Sequence, residues 1–232
     1  MVSKTFYTFS RFKFPGIMKG LLLDLDGTLV DDRAAMRQAL DALVLPRPDL
    51  FSQLDILNRH SVWDRISEKH WHAFEAGDLS FQDQRRFRLR EFLDQALSDE
   101  EADRLFAIYT KAYEESVTVL PGVVEFFDRT EDVPKAVVTN GLRSQQVLKL
   151  QKSNLRTRVN SVITSEVCGV RKPHPRIFEL AAESIGIPLT ECYLIGDDFT
   201  RDIEPAQKLG MRHFHVVQGD PKKTILAALE NV

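Results

Sequence analysis

Asp24 and Asp26 stand two positions apart at the end of an apolar run, Gly20-Leu-Leu-Leu-Asp-Leu-Asp-Gly-Thr28. Two carboxylates at the tip of a buried strand repel each other and are poorly solvated unless a cation lies between them or one holds a proton. For this segment alone, a solvated loop with acidic turn formers before Gly27 is an equal reading. Three later segments break the tie. Val138-Thr139-Asn140-Gly141 offers a hydroxyl and free backbone amides, and Arg171-Lys172-Pro173 offers a basic pair. Gly196-Asp197-Asp198 adds two carboxylates, with Asp202 five positions after Asp197. If the apolar runs before these segments are parallel strands, all these groups meet at one sheet edge, where ligands bind in doubly wound folds. Carboxylates in that number, beside one ammonium and one hydroxyl, suit a divalent cation and a phosphate. Mg2+ takes a few carboxylate oxygens, waters and phosphate oxygens, and a lysine supplies a point charge to the phosphate.

The elements that must position these groups are legible as short apolar runs alternating with helical patterns. After Gly20 the strand candidates are Lys135–Thr139, Ser161–Thr164, Cys192–Ile195 and His213–Val217. Helices are expected at Glu125–Arg129 and Ser144–Lys152, and at Pro175–Ile185, which opens on a proline and closes at Gly186. Another is expected at Asp202–Leu209, closing at Gly210. Strands alternating with helices predict an α/β fold, a Rossmann-like doubly wound parallel sheet. Between the first two strands the reading changes. Leu89, Leu93 and Leu97 recur every four residues, and Ser98-Asp-Glu-Glu101 reads as a capping box opening a helix from Asp99 to about Glu115. The chain therefore divides into an N-terminal extension at 1–19, an α/β core at 20–31 and 119–232, and an inserted α-helical domain at 32–118. The extension is basic and aromatic, with no acid and no secretory pattern. It reads as a short leading strand or a loose extension.

Composition removes several classes. The chain has 232 residues, 43% of them hydrophobic, which is enough for a core without disulfides or structural metals. Thirty-one basic and 34 acidic side chains leave a net charge of −3, which argues against a nucleic-acid polymer as partner. No apolar run approaches the roughly 20 residues that span a bilayer. Cys168 and Cys192 form no CxxC pair, so a reducing, cytoplasmic setting is expected. His70/His72 and His213/His215 have paired spacing but lack a third ligand of matching type, so they read as packing or surface residues. His174 reads as a loop residue, and Trp63 and Trp71 as core of the insert. Arg85, Arg86, Arg88 and Arg90 read as a solvated helical face with Asp83 and Glu91 as partners.

Taken in order, Asp24-Leu-Asp-Gly-Thr28, Thr139-Asn140-Gly141, Lys172-Pro173 and Gly196-Asp197-Asp198-x3-Asp202 resemble the four motifs of the haloacid dehalogenase (HAD) superfamily. The helical insert resembles that superfamily's C1 cap. The resemblance covers about residues 18–220. It implies that Asp24 is a nucleophile that forms an aspartyl-phosphate. Asp26 is then the general acid and base, with a pKa raised by a crowded acidic setting. Thr139 and the Asn140 amide hold phosphoryl oxygens, with Gly27, Thr28 and Gly141 also lining the substrate. Lys172 neutralises charge. Mg2+ is held by Asp24, the Asp26 backbone carbonyl and Asp197, while Asp202 and Asp198 orient metal waters. Asp26 in motif one separates the chain from dehalogenases and phosphonatases. Trp71-His-Ala-Phe74-Glu75-Ala-Gly77-Asp-Leu-Ser80, followed by Arg86-Phe87, resembles the cap of the nucleotidase and N-acylneuraminate-9-phosphatase-like branch. Arg86, singled out from the arginine run, is expected to contact a phosphate or base of the substrate. The function implied is a Mg2+-dependent phosphomonoester hydrolase acting on a small phosphorylated metabolite, a nucleotide or sugar phosphate. Its partner is a small-molecule phosphate ester, with no nucleic-acid polymer and no membrane, and the protein is a monomer or homodimer. The alternatives are a sugar phosphomutase of the same superfamily and a non-catalytic phosphate-responsive binding protein.

Overall fold

The computed structural model describes residues 19–47, 58–220 and 223–231. The expected N-terminal extension, apart from Lys19, lies outside the described residues. The chain divides into two compact units, residues 1–29 with 119–232 and residues 30–118.

The first unit holds β1 (Gly20–Leu23), then after the insert α5 (Val123–Arg129), β2 (Lys135–Thr139) and α6 (Arg143–Lys152). It continues with β3 (Ser161–Thr164), α7 (Ser165–Cys168), α8 (Pro175–Ser184), β4 (Cys192–Gly196), α9 (Glu204–Lys208) and β5 (Arg212–His215). The five strands form one sheet in the order β3-β2-β1-β4-β5, every pair parallel. The chain builds outward from β1 to β3, then crosses back to build β4 and β5 on the other side. That reversal creates a crevice at the strand ends beside β1. Register fixes what meets there. Leu23 pairs with Val137 on one side and Ile195 on the other. Asp24 is therefore level with Val138 and Gly196, one step short of Thr139 and Asp197.

The strands read as unbroken apolar runs because both sheet faces are covered. Leu22, Ala136, Val138, Cys192 and Leu194 share one cluster with Ile177, Phe178, Ala181 and Ala182 of α8 and Ala206 of α9. The alternate residues Leu21, Leu23, Val137 and Ile195 are fully buried too, so they pack on the opposite face. β5 is an edge strand of half-buried residues and ends at His215, two residues before the sequence pattern suggests.

The helix expected at Asp202–Leu209 departs further. A wide π-helical turn at Phe199–Ile203 precedes α9. The Asp198 carboxylate starts that turn by accepting from the Thr200 and Arg201 amides at 2.9 and 2.8 Å. The widened turn carries Asp202 to a fully enclosed position, 1% exposed.

The second unit is helical: α1 (Asp32–Val44), α2 (Arg59–Ala76), α3 (Phe81–Leu93) and α4 (Asp99–Ser116). Its core gathers Leu40, Leu43, Trp63, Ile66, Leu89, Phe92, Phe106 and Tyr109. Trp63 lies edge-on to Phe92 at 5.0 Å and donates its indole N–H to the Tyr109 hydroxyl at 3.2 Å. The Ser98–Glu101 capping box is complete, each backbone amide bonded to the other residue's side chain at 2.8 and 3.2 Å. Trp71 sits in a half-buried aromatic group with Phe74 and Phe81. The arginine run is not one solvated face. Positions 85 and 88 turn inward while 86 and 90 face their acids. Arg88 is buried with its guanidinium 4.6 Å from the Trp63 ring, and Arg85 lies 4.3 Å from the Phe81 ring.

Candidate active site

Asp24 leaves β1 with its backbone N–H still bonded to the Ile195 carbonyl at 2.9 Å, so its side chain projects from the strand tip at a fixed height. Its Oδ1 accepts from Lys172 Nζ at 2.6 Å, and its Oδ2 lies 3.2 Å from the Thr28 hydroxyl. The same hydroxyl is 3.1 Å from Asp197 Oδ1, so one proton serves two carboxylates. Gly27 lets the loop close this tightly. Its φ is +83°, and a Cβ there would stand 2.2 Å from Asp197 Oδ2. Gly196 does the same for Asp202, whose Cγ would lie 2.5 Å from an added Cβ.

Asp24, Asp197 and Asp202 each bring a carboxylate oxygen within 4.8 Å of the others. Lys172 bridges two of them, reaching Asp202 Oδ1 at 2.7 Å. Asn140 holds that lysine by its backbone. It accepts from Lys172 N–H at 2.7 Å and donates to the Lys172 carbonyl at 3.0 Å. From the sequence, Asn140 was expected to contribute its amide to a phosphate; its side chain also clamps the basic loop.

Burial pushes Asp197 up to about 8, and the charges of Asp24 and Asp202 add to the rise. Asp202 rises to about 7, again chiefly through burial, with Lys172 opposing and Asp24 adding to the shift. For Lys172, burial works against the ammonium, but Asp202 and Asp24 outweigh it and hold it above the ordinary lysine range. With all three ionised, the trio carries more negative charge than one ammonium offsets, which is why its acids retain protons unless a cation joins them. An all-oxygen donor set with that excess fits a hard divalent cation.

Asp26 departs from its expected setting. Its carboxylate is not among the crowded acids. Lys149 Nζ lies 2.6 Å from Oδ1, and Gln146 Nε2 donates to Oδ2 at 2.9 Å. The chain has already curled away from the strand at Leu25, so the two-residue step does not leave both acids on one cluster. Asp198 is also directed elsewhere. Besides the two turn amides, it pairs with Arg201 Nε at 2.7 Å, and although burial opposes this, the Arg201 amide and guanidinium hold it below the usual carboxylate range.

Thr139 Oγ1 accepts from Gly141 N–H at 3.1 Å and from Gln146 Nε2 at 2.7 Å, so its own proton is left to donate outward. Arg86, expected against a substrate, is held within the helical unit. Its guanidinium binds Asp103 through two nitrogens at 2.8 and 2.6 Å and Asp99 through the third at 2.6 Å. His174 caps α8, accepting from Arg176 N–H. His215, set aside as a packing residue, has Nε2 2.8 Å from the Asp197 carbonyl and steadies the loop after β4. Gln146 and Lys149 were missed. Their spacing on a polar helix gave no signal in the sequence; only the structure shows them buried on α6, the helix that follows the Thr139 loop.

A family model of haloacid dehalogenase-like hydrolases matches residues 18–210. The chain belongs to this family. It is 28% identical over 226 residues to the phosphoserine phosphatase of Thermus thermophilus, covering 87% of this chain and 90% of that protein. It is 35% identical over 86 residues to the glyceraldehyde 3-phosphate phosphatase of Methanocaldococcus jannaschii, covering 37% of this chain and only 38% of that relative's length. In three dimensions it superposes on the magnesium-bound HAD-hydrolase YfnB of Bacillus subtilis with a TM-score of 0.73, at 24% identity, covering 87% of this chain and 89% of that one. That likeness agrees with the HAD-type α/β core. Among the described residues no helix is long and apolar enough to cross a membrane.

Proposed function

We propose that this HAD-family chain is a Mg2+-dependent phosphomonoester hydrolase that works through an aspartyl-phosphate on Asp24. The observation that carries the reading is the Asp24 carboxylate, held between Lys172 and Thr28 within the acidic trio. A carboxylate must be stripped of repulsion before it approaches a phosphate dianion, and a buried ammonium 2.6 Å away contributes to that.

Asp24, Asp197 and the Asp26 backbone carbonyl would hold the cation, with Asp202 behind them, and the metal would offset charge on the phosphoryl oxygens. In the first step an Asp24 oxygen attacks phosphorus, and the bond to the ester oxygen breaks. Asp26 gives its proton to that oxygen, so an alcohol leaves. In the second step water attacks the phosphorus of the aspartyl-phosphate. Asp26, now a carboxylate, takes one of the water's protons, the bond to Asp24 breaks, and inorganic phosphate departs. Thr139, with both acceptor positions filled, donates to a phosphoryl oxygen throughout.

The helical unit serves in this reading as the cap. Phosphoserine and glyceraldehyde 3-phosphate, named for two relatives, share only a phosphomonoester on a small carbon skeleton. The substrate proposed here is of that class, a nucleotide or sugar phosphate being the form suggested by the segment around Trp71 and Arg86. The test is phosphate release from nitrophenyl phosphate. Expected are multiple turnovers with Mg2+, none in EDTA, recovery on adding Mg2+ back, and a loss of at least about 10^3-fold in Asp24→Asn. Undiminished turnover in Asp24→Asn would overturn the mechanism. A panel of phosphoserine, nucleotides and sugar phosphates then assigns the ester.

A further inference from the structure

Of the carboxylates proposed for the reaction, Asp26 alone stands apart from the acidic trio, and α6 holds both of its oxygens. Lys149 Nζ takes Oδ1 at 2.6 Å and Gln146 Nε2 takes Oδ2 at 2.9 Å. The same Gln146 nitrogen donates its other hydrogen to Thr139 Oγ1 at 2.7 Å. Gln146 is 1% exposed and Lys149 is 8% exposed. Burying such groups is costly unless partners compensate them, so their placement is specified by what they bind. The Gln146 carbonyl Oε1 has no partner among the described residues, and its amide is oriented by the two donor contacts. Gly141 provides the room, since a Cβ there would stand 2.0 Å from Gln146 Nε2. The glycine of Thr139-Asn140-Gly141 thus admits a side chain from the following helix.

We propose that Gln146 and Lys149 are positioning residues that lock the Asp26 carboxylate and the Thr139 hydroxyl into one unit, and so set the proton-transfer group relative to the phosphoryl site. The inference rests on the phosphatase reading above. Asp26 is carried on a loop, and a change of its side-chain rotamer about Cα–Cβ would carry its oxygens away from the positions they hold. Anchoring it from a helix removes that freedom, the requirement for efficient acid–base transfer.

The test compares two esters on one preparation, nitrophenyl phosphate and phenyl phosphate, with Mg2+ present. Nitrophenolate leaves with little help from a proton; phenolate needs it. Lys149→Met is expected to lower kcat/KM for phenyl phosphate at least about tenfold while changing that for nitrophenyl phosphate less than about threefold, with Lys149→Arg recovering most of the loss. Because the ratio is taken on one sample, any loss of folded protein cancels. If Lys149→Met does not fold, Lys149→Gln is expected to show the same split, whereas Gln146→Leu, which also frees Thr139, is expected to lower kcat/KM for both esters. Equal losses on both esters in the Lys149 variant, or no loss on either, would refute the positioning role. A wild-type protein that releases phosphate from neither ester overturns the phosphatase reading, and this inference falls with it.

Discussion

Lys172 and Arg88 are buried to nearly the same degree, 5% and 8% exposed, one in the α/β unit and one in the helical unit. Their environments push them in opposite directions. Lys172 meets two carboxylates and is held above its ordinary range, in spite of its burial. Arg88 meets aromatic rings, its Nε has no hydrogen-bond partner among the described residues, and burial pulls it down, with Tyr109 and Asp32 opposing only in part. Burial alone therefore does not mark a functional charge. The partner does. At the sheet edge negative charge is in excess and each cation is needed to hold it, whereas the helical core uses the flat face and stem of an arginine as packing material.

Three measurements sharpen that contrast. The largest effect is expected in Lys172→Met, studied by urea unfolding in EDTA. Removing one partner from a buried charge cluster leaves the rest uncompensated, and a loss of about 3–5 kcal/mol is expected, together with loss of activity when Mg2+ is restored. An unchanged midpoint would show that the cluster does not depend on its ammonium.

The second is a pH series of thermal unfolding with and without Mg2+. Asp197 and Asp202 bind protons more tightly in the folded chain, at about 8 and about 7, than at the ordinary carboxylate value of 3.8. In EDTA the folded state therefore holds protons that the unfolded state has released between about pH 4 and pH 8. Stability must fall as pH rises through that window. The rise in Tm on adding Mg2+ should be greater at pH 8 than at pH 5.5, because the cation replaces those protons. A shift equal at both values would remove the trio as the binding site.

The smallest effect belongs to Arg88→Met. The substitution gives up a cation–π contact but also removes a poorly paired buried charge, so stability is expected to stay within about 1 kcal/mol of wild type. A loss as great as that of Lys172→Met would mean that the helical unit relies on Arg88 as an ion.

Some of this could be read before any coordinates. The apolar runs at 20–23, 135–139 and 192–195 announce buried parallel strands because both faces of such strands are covered. Ser98 and Glu101 announce a helix start because both halves of the box are local in sequence. The π-helical turn at Phe199–Ile203 could not be read, since it is set by the side-chain oxygens of Asp198 competing for Thr200 and Arg201 amides rather than by periodicity. The inward turn of Arg88 was equally hidden, because its partners Trp63 and Phe106 lie on other helices.

The residue types at the strand tips, Asp24, Thr139, Lys172 and Asp197, are properties of the sequence, and so is the chemistry they offer once they meet. Which of the acids gather around Lys172 and which is tied to Lys149 was decided only by the tertiary fold. Asp24, Asp197 and Asp202 come within reach of one another through register and a widened turn, while Asp26 is drawn to Lys149 across 123 positions of chain. The physical reason is that a carboxylate's partner is fixed by distances of a few ångströms, and spacing along the chain determines such distances only within a single element.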